Sequence, residues 1–420
     1  MIEMIKYEYL LVLRQRFVIY ACAITMLITW LSLMNGWQSI ENIHNEIYQA
    51  QHQEQIRLKE QAKFYAQHGG AGEVGYYVFH LIYDTPSEFS FIAIGNRLVT
   101  PHIQRIRLLG LQGQLYDGES HNPEYVSMGA LDFSFVIIFL SPLLSIALMH
   151  DLKAAEEQTK RLGLIRSLSN SMFTLWLKRS LVRWSIIFLS FAIPLGLFSA
   201  LKMLDANTSF YILNIVMAYT LLWAFISTVV TLKLKQASAT KSAMLLLFIW
   251  IIVTIIAPNI AQTIIHKHLP LLEGSEIAIQ HRKKVHSAWD KPKETTMQEF
   301  YKIYPQWKSS PAITGRFHWK WYYAFQHLAD VSVQLHVAKR EEVLIKRNLL
   351  VERLSIFLPN VWVQSKLESI SQSNVTHLLE HRRKIVTYHE QLRNYFYPYL
   401  FNEQPFSQQV FKAIPHFRTN

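Results

Sequence analysis

Residues 17–34 read FVIYACAITMLITWLSLM, with no Asp, Glu, Lys or Arg among them. Roughly 20 apolar residues cross a bilayer as a helix, so this run predicts a membrane span. Four more uncharged runs follow: Phe133 to Met149, Trp184 to Leu201, Tyr211 to Leu232 and Ala243 to Ile265. Pro258 and Asn259 predict an early end to the last one. No A-x-A-like cleavage site stands at Asn35-Gly36-Trp37, so the first run reads as an uncleaved anchor rather than a signal peptide.

The rest of the composition agrees with a chain that is part membrane, part water-soluble. Half of the 420 residues are hydrophobic, yet their concentration into runs leaves the mean hydropathy at only +0.10. Aromatic residues at 13% exclude a disordered chain. A single cysteine, Cys22, excludes an intrachain disulfide or a CxxC zinc site. The formal charge of +12 is read through topology, not nucleic acid. Residues 1–16, 150–183 and 233–242 together carry 13 Lys/Arg and 5 Asp/Glu, whereas Lys202 to Phe210 has one of each sign. The positive-inside rule then puts the N-terminus in the cytoplasm and the C-terminus outside.

The expected architecture is a mainly α membrane protein with five transmembrane helices and two large extracytoplasmic domains, the second mostly helical. Its parts are an elbow helix at 1–16, span 1 at 17–34, outer domain 1 at 35–132, span 2 at 133–149, a cytoplasmic coupling loop at 150–183, spans 3 to 5 at 184–265, and outer domain 2 at 266–420. Residues 39–67 continue the first span as a polar helix, which Gly69 to Gly75 breaks. Residues 76–115 predict short strands or irregular structure. Phe317 to Leu358 and Trp362 to Tyr397 read as long helices, since both lack interior Gly and Pro. The first outer segment (35–130) balances at −4 and the second at +9, and these opposite signs suit packing together or docking a partner.

No phosphate-binding GxxxxGK[ST] loop occurs, so ATP hydrolysis belongs to another chain. The uncharged spans hold no evident proton relay or ion site. The stretch from His150 to Ser169 contains an acidic pair, Glu156-Glu157, a basic pair, Lys160-Arg161, then Gly163 and Arg166. It reads either as a rigid coupling helix that meets a cytoplasmic partner or as a charged linker. Gly70-Ala-Gly72-Glu-Val-Gly75 satisfies GxGxxG, but without a preceding strand it reads as a turn. His377-Leu-Leu-Glu380-His381 places both histidines on one helical face, the pattern of an inverted zinc protease, and His266-x-His268 is a second candidate pair. Surface or capping histidines are the plainer reading, and no metal site is assigned. The aromatic run Trp319 to Phe325 reads as helix core or interface belt. Ser141, Ser145, Asn214, Thr220, Ser227, Thr228 and Thr254 read as helix–helix contacts within the bundle.

On these residues the chain resembles a type-2 ABC exporter permease. Lys6-Tyr-Glu8 and Leu13-Arg14-Gln-Arg16 stand where such permeases carry an amphipathic elbow helix, and Glu156, Glu157 and Gly163 resemble their acid-then-glycine loop. Leu164-Ile165 and Ser167-Leu-Ser169 depart from the family's Thr-Leu and Ser-x-Pro. The chain is also similar, over nearly its whole length, to a subgroup described as permeases involved in multicopper-enzyme maturation. The matching positions are Pro86-Ser87, Ile92-Ala-Ile94-Gly95, Asn122-Pro123, Gly129-Ala-Leu-Asp132-Phe, Pro142, Tyr322-Tyr-Ala-Phe325, Asp330, His381-Arg-Arg383 and Ile414-Pro415-His416-Phe417. The resemblance implies a non-catalytic transporter subunit in a bacterial inner membrane. It implies a paired cytoplasmic ABC ATPase that holds ATP and Mg, a second permease chain, surrounding lipid and a periplasmic partner, with no cofactor on this chain. Contact with the ATPase would fall to Glu156, Glu157 and Gly163, then Lys160, Arg161 and Arg166, with the elbow residues Lys6, Glu8, Arg14 and Arg16. A mechanotransmission subunit that carries no substrate is the alternative, and a membrane-anchored zinc hydrolase the lesser one.

Overall fold

The computed structural model describes residues 2–98, 100–117, 131–168, 171–234 and 238–418. Asn122, Pro123, Gly129, Ala130 and Ser169 of the motifs above lie outside the described residues. Helix α1 (Ile2–Leu13) ends where Gln15 turns extended, and α2 (Arg16–His68) begins at once. The 53 residues of α2 make a rod of about 80 Å. Its first third is apolar, and the polar remainder buries a stripe that includes Ile40, Ile47 and Ala62. Then come α3 (Ala71–Tyr77), the antiparallel pair β1 (His80–Tyr83) and β2 (Ile103–Ile106), and α4 (Leu111–Asp117).

The second span, α5 (133–149), is followed by α6 (Ala154–Gln158), α7 (Leu162–Leu168), α8 (Met172–Leu201), α9 (Ala206–Lys233) and α10 (Ala239–His268). Among the described residues, five helices are long and apolar enough to cross a membrane. Trp223, Tyr219, Phe191 and Phe198 fill the bundle centre. Of the polar residues expected to join helices, Thr220 and Thr228 do so, through Trp184 Nε1 to Thr220 Oγ1 (3.2 Å) and Thr228 Oγ1 to Ser180 Oγ (2.9 Å), both between α8 and α9, whereas Asn214 bonds Phe210 O of its own helix. Pro258 does not end the last span. A π-helical stretch, Ile252–Ile256, precedes it and carries the helix on to His268, as Val136–Leu140 does before Pro142 in α5. A wider turn accommodates a residue that lacks an N–H and crowds the turn before it.

The remaining helices are α11 (Gly274–Trp289), α12 (Lys293–Ile303), α13 (Trp319–Ser355), α14 (Pro359–Ile370), α15 (Val375–Phe401) and α16 (Gln408–Lys412). The helix expected over 362–397 breaks at 371–374. The buried Ser371 and Ser373 bond the loop at 89–93 there: Ser371 Oγ accepts from Ala93 N (3.2 Å), and Ser373 Oγ donates to Ala93 O (2.7 Å).

Residues 62–116 and 277–417, from the two segments whose opposite charge suits packing together, share one body. Val74, Ile82, Ile106 and Leu111 of the first share a continuous core with Ile277, Phe300, Phe325 and Phe396 of the second. The Gly70–Gly75 segment is helical rather than a turn. Gly72 lies against the Trp319 ring and Gly75 under Tyr323, so α13 approaches the backbone of α3 directly. Tyr323 Oη donates to Gly72 O (2.9 Å), and Trp319 Nε1 donates to Glu73 Oε1 (2.8 Å).

Candidate functional site

The stretch from 150 to 183, expected as a loop with one coupling helix, is mostly structured and bent. Helix α6 stops at Thr159, and Lys160 adopts a positive φ of 56° before α7 begins. That kink, not Gly163, separates the two short helices. Gly163 sits in the first turn of α7, and nothing lies within 4 Å of a Cβ added there. Helix α8 begins at Met172, twelve residues before the apolar run, and so carries Lys178, Arg179 and Arg183 as an extension of the third span.

Arg179 is the hub. Its Nη1 donates to Glu156 Oε1 (2.9 Å), its Nε lies 3.4 Å from Glu8 Oε2, and its guanidinium covers the Trp176 ring at 5.5 Å. One arginine therefore holds α1 and α6 against α8. Tyr9 hydrogen-bonds Ser185 beside it. On the neighbouring turn Arg183 donates to Asp151 (2.6 Å) and to the Leu148 carbonyl at the end of α5 (2.5 Å). Lys153 closes the ring, bonding Leu234 O past the end of α9 (2.8 Å) and pairing with Glu157 (3.2 Å). These side chains are between 10% and 30% exposed. Removal of Arg179 would leave two half-buried carboxylates unpaired, a cost of roughly 1–3 kcal/mol between the exposed and buried extremes.

Glu156 and Glu157 thus turn inward, onto Arg179 and Lys153. Lys160, Arg161, Gly163 and Arg166 are exposed, and with them stand Leu164 and Phe173 at 62% and 76% exposure. A basic tip with two apolar side chains is the free face of this end of the bundle. Of the elbow residues only Glu8 enters the network, while Lys6, Arg14 and Arg16 are exposed. Arg179 and Arg183 were missed in the sequence because 150–183 was read as loop. Their i,i+4 spacing, together with Lys178, was the available signal.

At the other end, the loop 87–94 wedges between bundle and domain. Phe91 and Ile92 are fully buried in the bundle's core, and a Cβ on Gly36 of α2 would collide with the Phe91 carbonyl. Asp132 pins this wedge to the start of α5, accepting from Ile94 N (3.0 Å), Ser134 Oγ (2.8 Å) and Phe135 N (2.9 Å). Within the domain core, Asp330 accepts from the amides of Leu111 and Gln112 (both 2.8 Å) and pairs with Arg393. The segment before the second span is thereby bound to the one after the fifth.

His377 and His381 line a cavity of about 60 Å³ with Asp84 and Arg97. His377 Nε2 lies 3.0 Å from Asp84 Oδ1, and Arg97 Nη1 donates to Asp84 Oδ2 (2.9 Å). Burial alone would raise the Asp84 carboxyl, but the His377 hydrogen bond and the Arg97 charge hold it below its ordinary value. Burial holds the His381 imidazole low. Among the described residues no three His, Cys, Asp or Glu side chains group as a metal centre requires. Arg97 is the cation that faces Asp84. His266 and His268 are exposed at the end of α10.

Residues 275–420 match the family model described as a domain of unknown function, DUF3526. No curated protein and no solved structure matches the chain. The matched region begins in α11, so in this fold its core is completed by residues from 62 to 116 that lie before the second span.

Proposed function

We propose that the chain is the transmembrane permease subunit of an ATP-driven exporter of the ABC class in a bacterial inner membrane. A separate cytoplasmic ATPase would bind ATP and Mg, and a second permease chain would complete the transporter. Residues 1–16, 150–183 and 233–242 lie on the cytoplasmic side in this reading, and segments 35–132 and 266–420 form the extracytoplasmic body. The observation that carries it is Arg179, which ties the elbow helix and the 154–158 helix to the base of the third span. A force applied at the basic tip (Lys160, Arg161, Leu164, Arg166) then moves α1, α6 and α8 together, the rigid-body transmission such a switch needs.

The test is co-purification from native membranes with an ATPase assay on the isolated complex. Charge reversal of Lys160, Arg161 and Arg166 to Glu is expected to abolish recovery of the ATPase while insertion persists. Arg179→Gln is expected to retain the ATPase and lose its stimulation. Unchanged recovery and unchanged stimulation in both variants would overturn the assignment.

A second reading, mechanotransmission to an extracytoplasmic partner without passage of substrate, draws on α2. This helix runs without a break from the end of α1 into the core of the large domain, where it buries Ala62. Recovery of an extracytoplasmic protein with the complex would favour it over export.

A further inference from the structure

We propose that the turn between α13 and α14 inserts the side chains of Ile356 and Phe357 into the bilayer leaflet on the side of the large domain. The proposal rests on the reading that α10 crosses the membrane. Ile356 and Phe357 are consecutive and are 79% and 80% exposed. They stand at the lower tip of the domain, where α14 buries Val363 and Leu367 in the core of the bundle.

The depth of this tip follows from α10. Its 30 residues measure about 45 Å, and the hydrocarbon core of a bilayer is about 30 Å thick. Wherever the core falls along such a helix, it includes the helix middle. Thr254 is in that middle, about 22 Å from the start at Ala239. Asn360 Nδ2, three residues past Phe357, donates to the Thr254 carbonyl (3.2 Å). Higher up, Arg347 of α13 bonds the Leu269 carbonyl just past the end of α10 (2.8 and 2.6 Å). Helix α13 therefore descends beside α10, from the level of Leu269 to that of Thr254. At this level α10 exposes Ile252, Ile255 and Ile256, with Phe248 below.

The backbone of the turn meets the requirement that hydrocarbon imposes. Phe357 N bonds Leu354 O (3.0 Å), and Leu358 N bonds Ser355 O (3.2 Å), so these amides do not face lipid unsatisfied. Glu352 and Arg353 are exposed one turn above and fix the headgroup level. Insertion is therefore shallow, on the order of 6 Å, the depth of interfacial anchors. The occupant is the acyl-chain region of the leaflet, because the tip shares its level with a lipid-facing span.

The experiment places an environment-sensitive fluorophore on single cysteines in a Cys22→Ser background. The positions are Ile356→Cys, Phe357→Cys, Phe248→Cys on α10 and Glu342→Cys higher on α13. The full chain is reconstituted in phosphatidylethanolamine/phosphatidylglycerol vesicles, with and without brominated acyl chains. The expected result is loss of most of the fluorescence at 356, 357 and 248 in brominated lipid, with 342 unaffected. Quenching at 248 but not at 356 or 357 would overturn the proposal; shielding from aqueous iodide at those two positions would then identify a second copy of the chain as the occupant. An unquenched 248 would instead overturn the membrane reading of α10, and the proposal with it.

Discussion

A methyl group added at Gly72 would meet the Trp319 ring, whereas one added at Gly163 would meet nothing. Gly72→Ala is therefore expected to destabilise the large domain by about 1–3 kcal/mol through overpacking. Gly163→Ala is expected to be neutral or stabilising by up to ~1 kcal/mol through helix propensity. Thermal unfolding of the two purified variants checks both signs. Asp330 makes a larger prediction. It is 7% exposed, paired with Arg393, and accepts two backbone amides from the other segment. Asp330→Ala is expected to cost roughly 3–5 kcal/mol, since it leaves the buried Arg393 with only the half-exposed Glu390 and takes the acceptor from two amides, and chemical denaturation would read the loss. Asp330 was visible in the sequence only as one position of a family pattern. Its role could not be read there, because every partner other than Arg393 and His281 is a main-chain group in a distant segment.

At the scale of elements, α2 is the test case. Continuation of the first span as a helix through 39–67 was legible from the spacing of its apolar residues, and the structure agrees. Tyr48 lies on its solvent face at 70% exposure. Tyr48→Ala should change little. Tyr48→Pro removes an intrahelical bond and kinks the rod, a cost of ~3 kcal/mol. Under the proposed ATP-driven function, if α2 carries motion to the large domain, the proline variant retains the ATPase but loses ATP-dependent change in protease sensitivity of that domain. An unaltered protease response in Tyr48→Pro would rule out α2 as the carrier. Other elements were less legible. The breaks at Lys160 and at 371–374 carry neither Gly nor Pro, and the second is decided by serines that bond the 89–93 loop.

For the whole molecule, buried imidazoles shape the response to acid, and three of them are shifted furthest. Burial, with the nearby charges of His416 and Arg57, lowers His80 to about 3; burial and Arg393 lower His327 to about 2 and His389 to about 3. Their environments are closed: His327 sits between the hydroxyls of Tyr304 (2.6 Å) and Tyr397 (2.9 Å), and His389 bonds Arg107 O (3.1 Å). An unfolded chain takes up these protons near pH 6.5, while the folded chain refuses them until far lower. Stability is thus fully present above about pH 6.5 and falls as pH drops toward 3, by about 1.4 kcal/mol per pH unit for each imidazole. Denaturation of the purified protein between pH 8 and pH 5 should show a flat upper range and a steep lower one. His389→Gln should make that slope shallower.

The sequence by itself determined the five apolar helices, the helical second segment and the placement of charge at one end of the bundle. Each depends on local composition and periodicity, which a chain cannot conceal. The union of two remote segments in one core, the inward turn of Glu156 onto Arg179, and the wedge of residues 87–94 under Ser371 were decided by tertiary structure. These depend on partners between 23 and several hundred residues apart. Which carboxylate finds which arginine, and which serine leaves its helix to bond a loop, is fixed by whatever packing brings those groups within 3 Å of each other, and no local pattern encodes it.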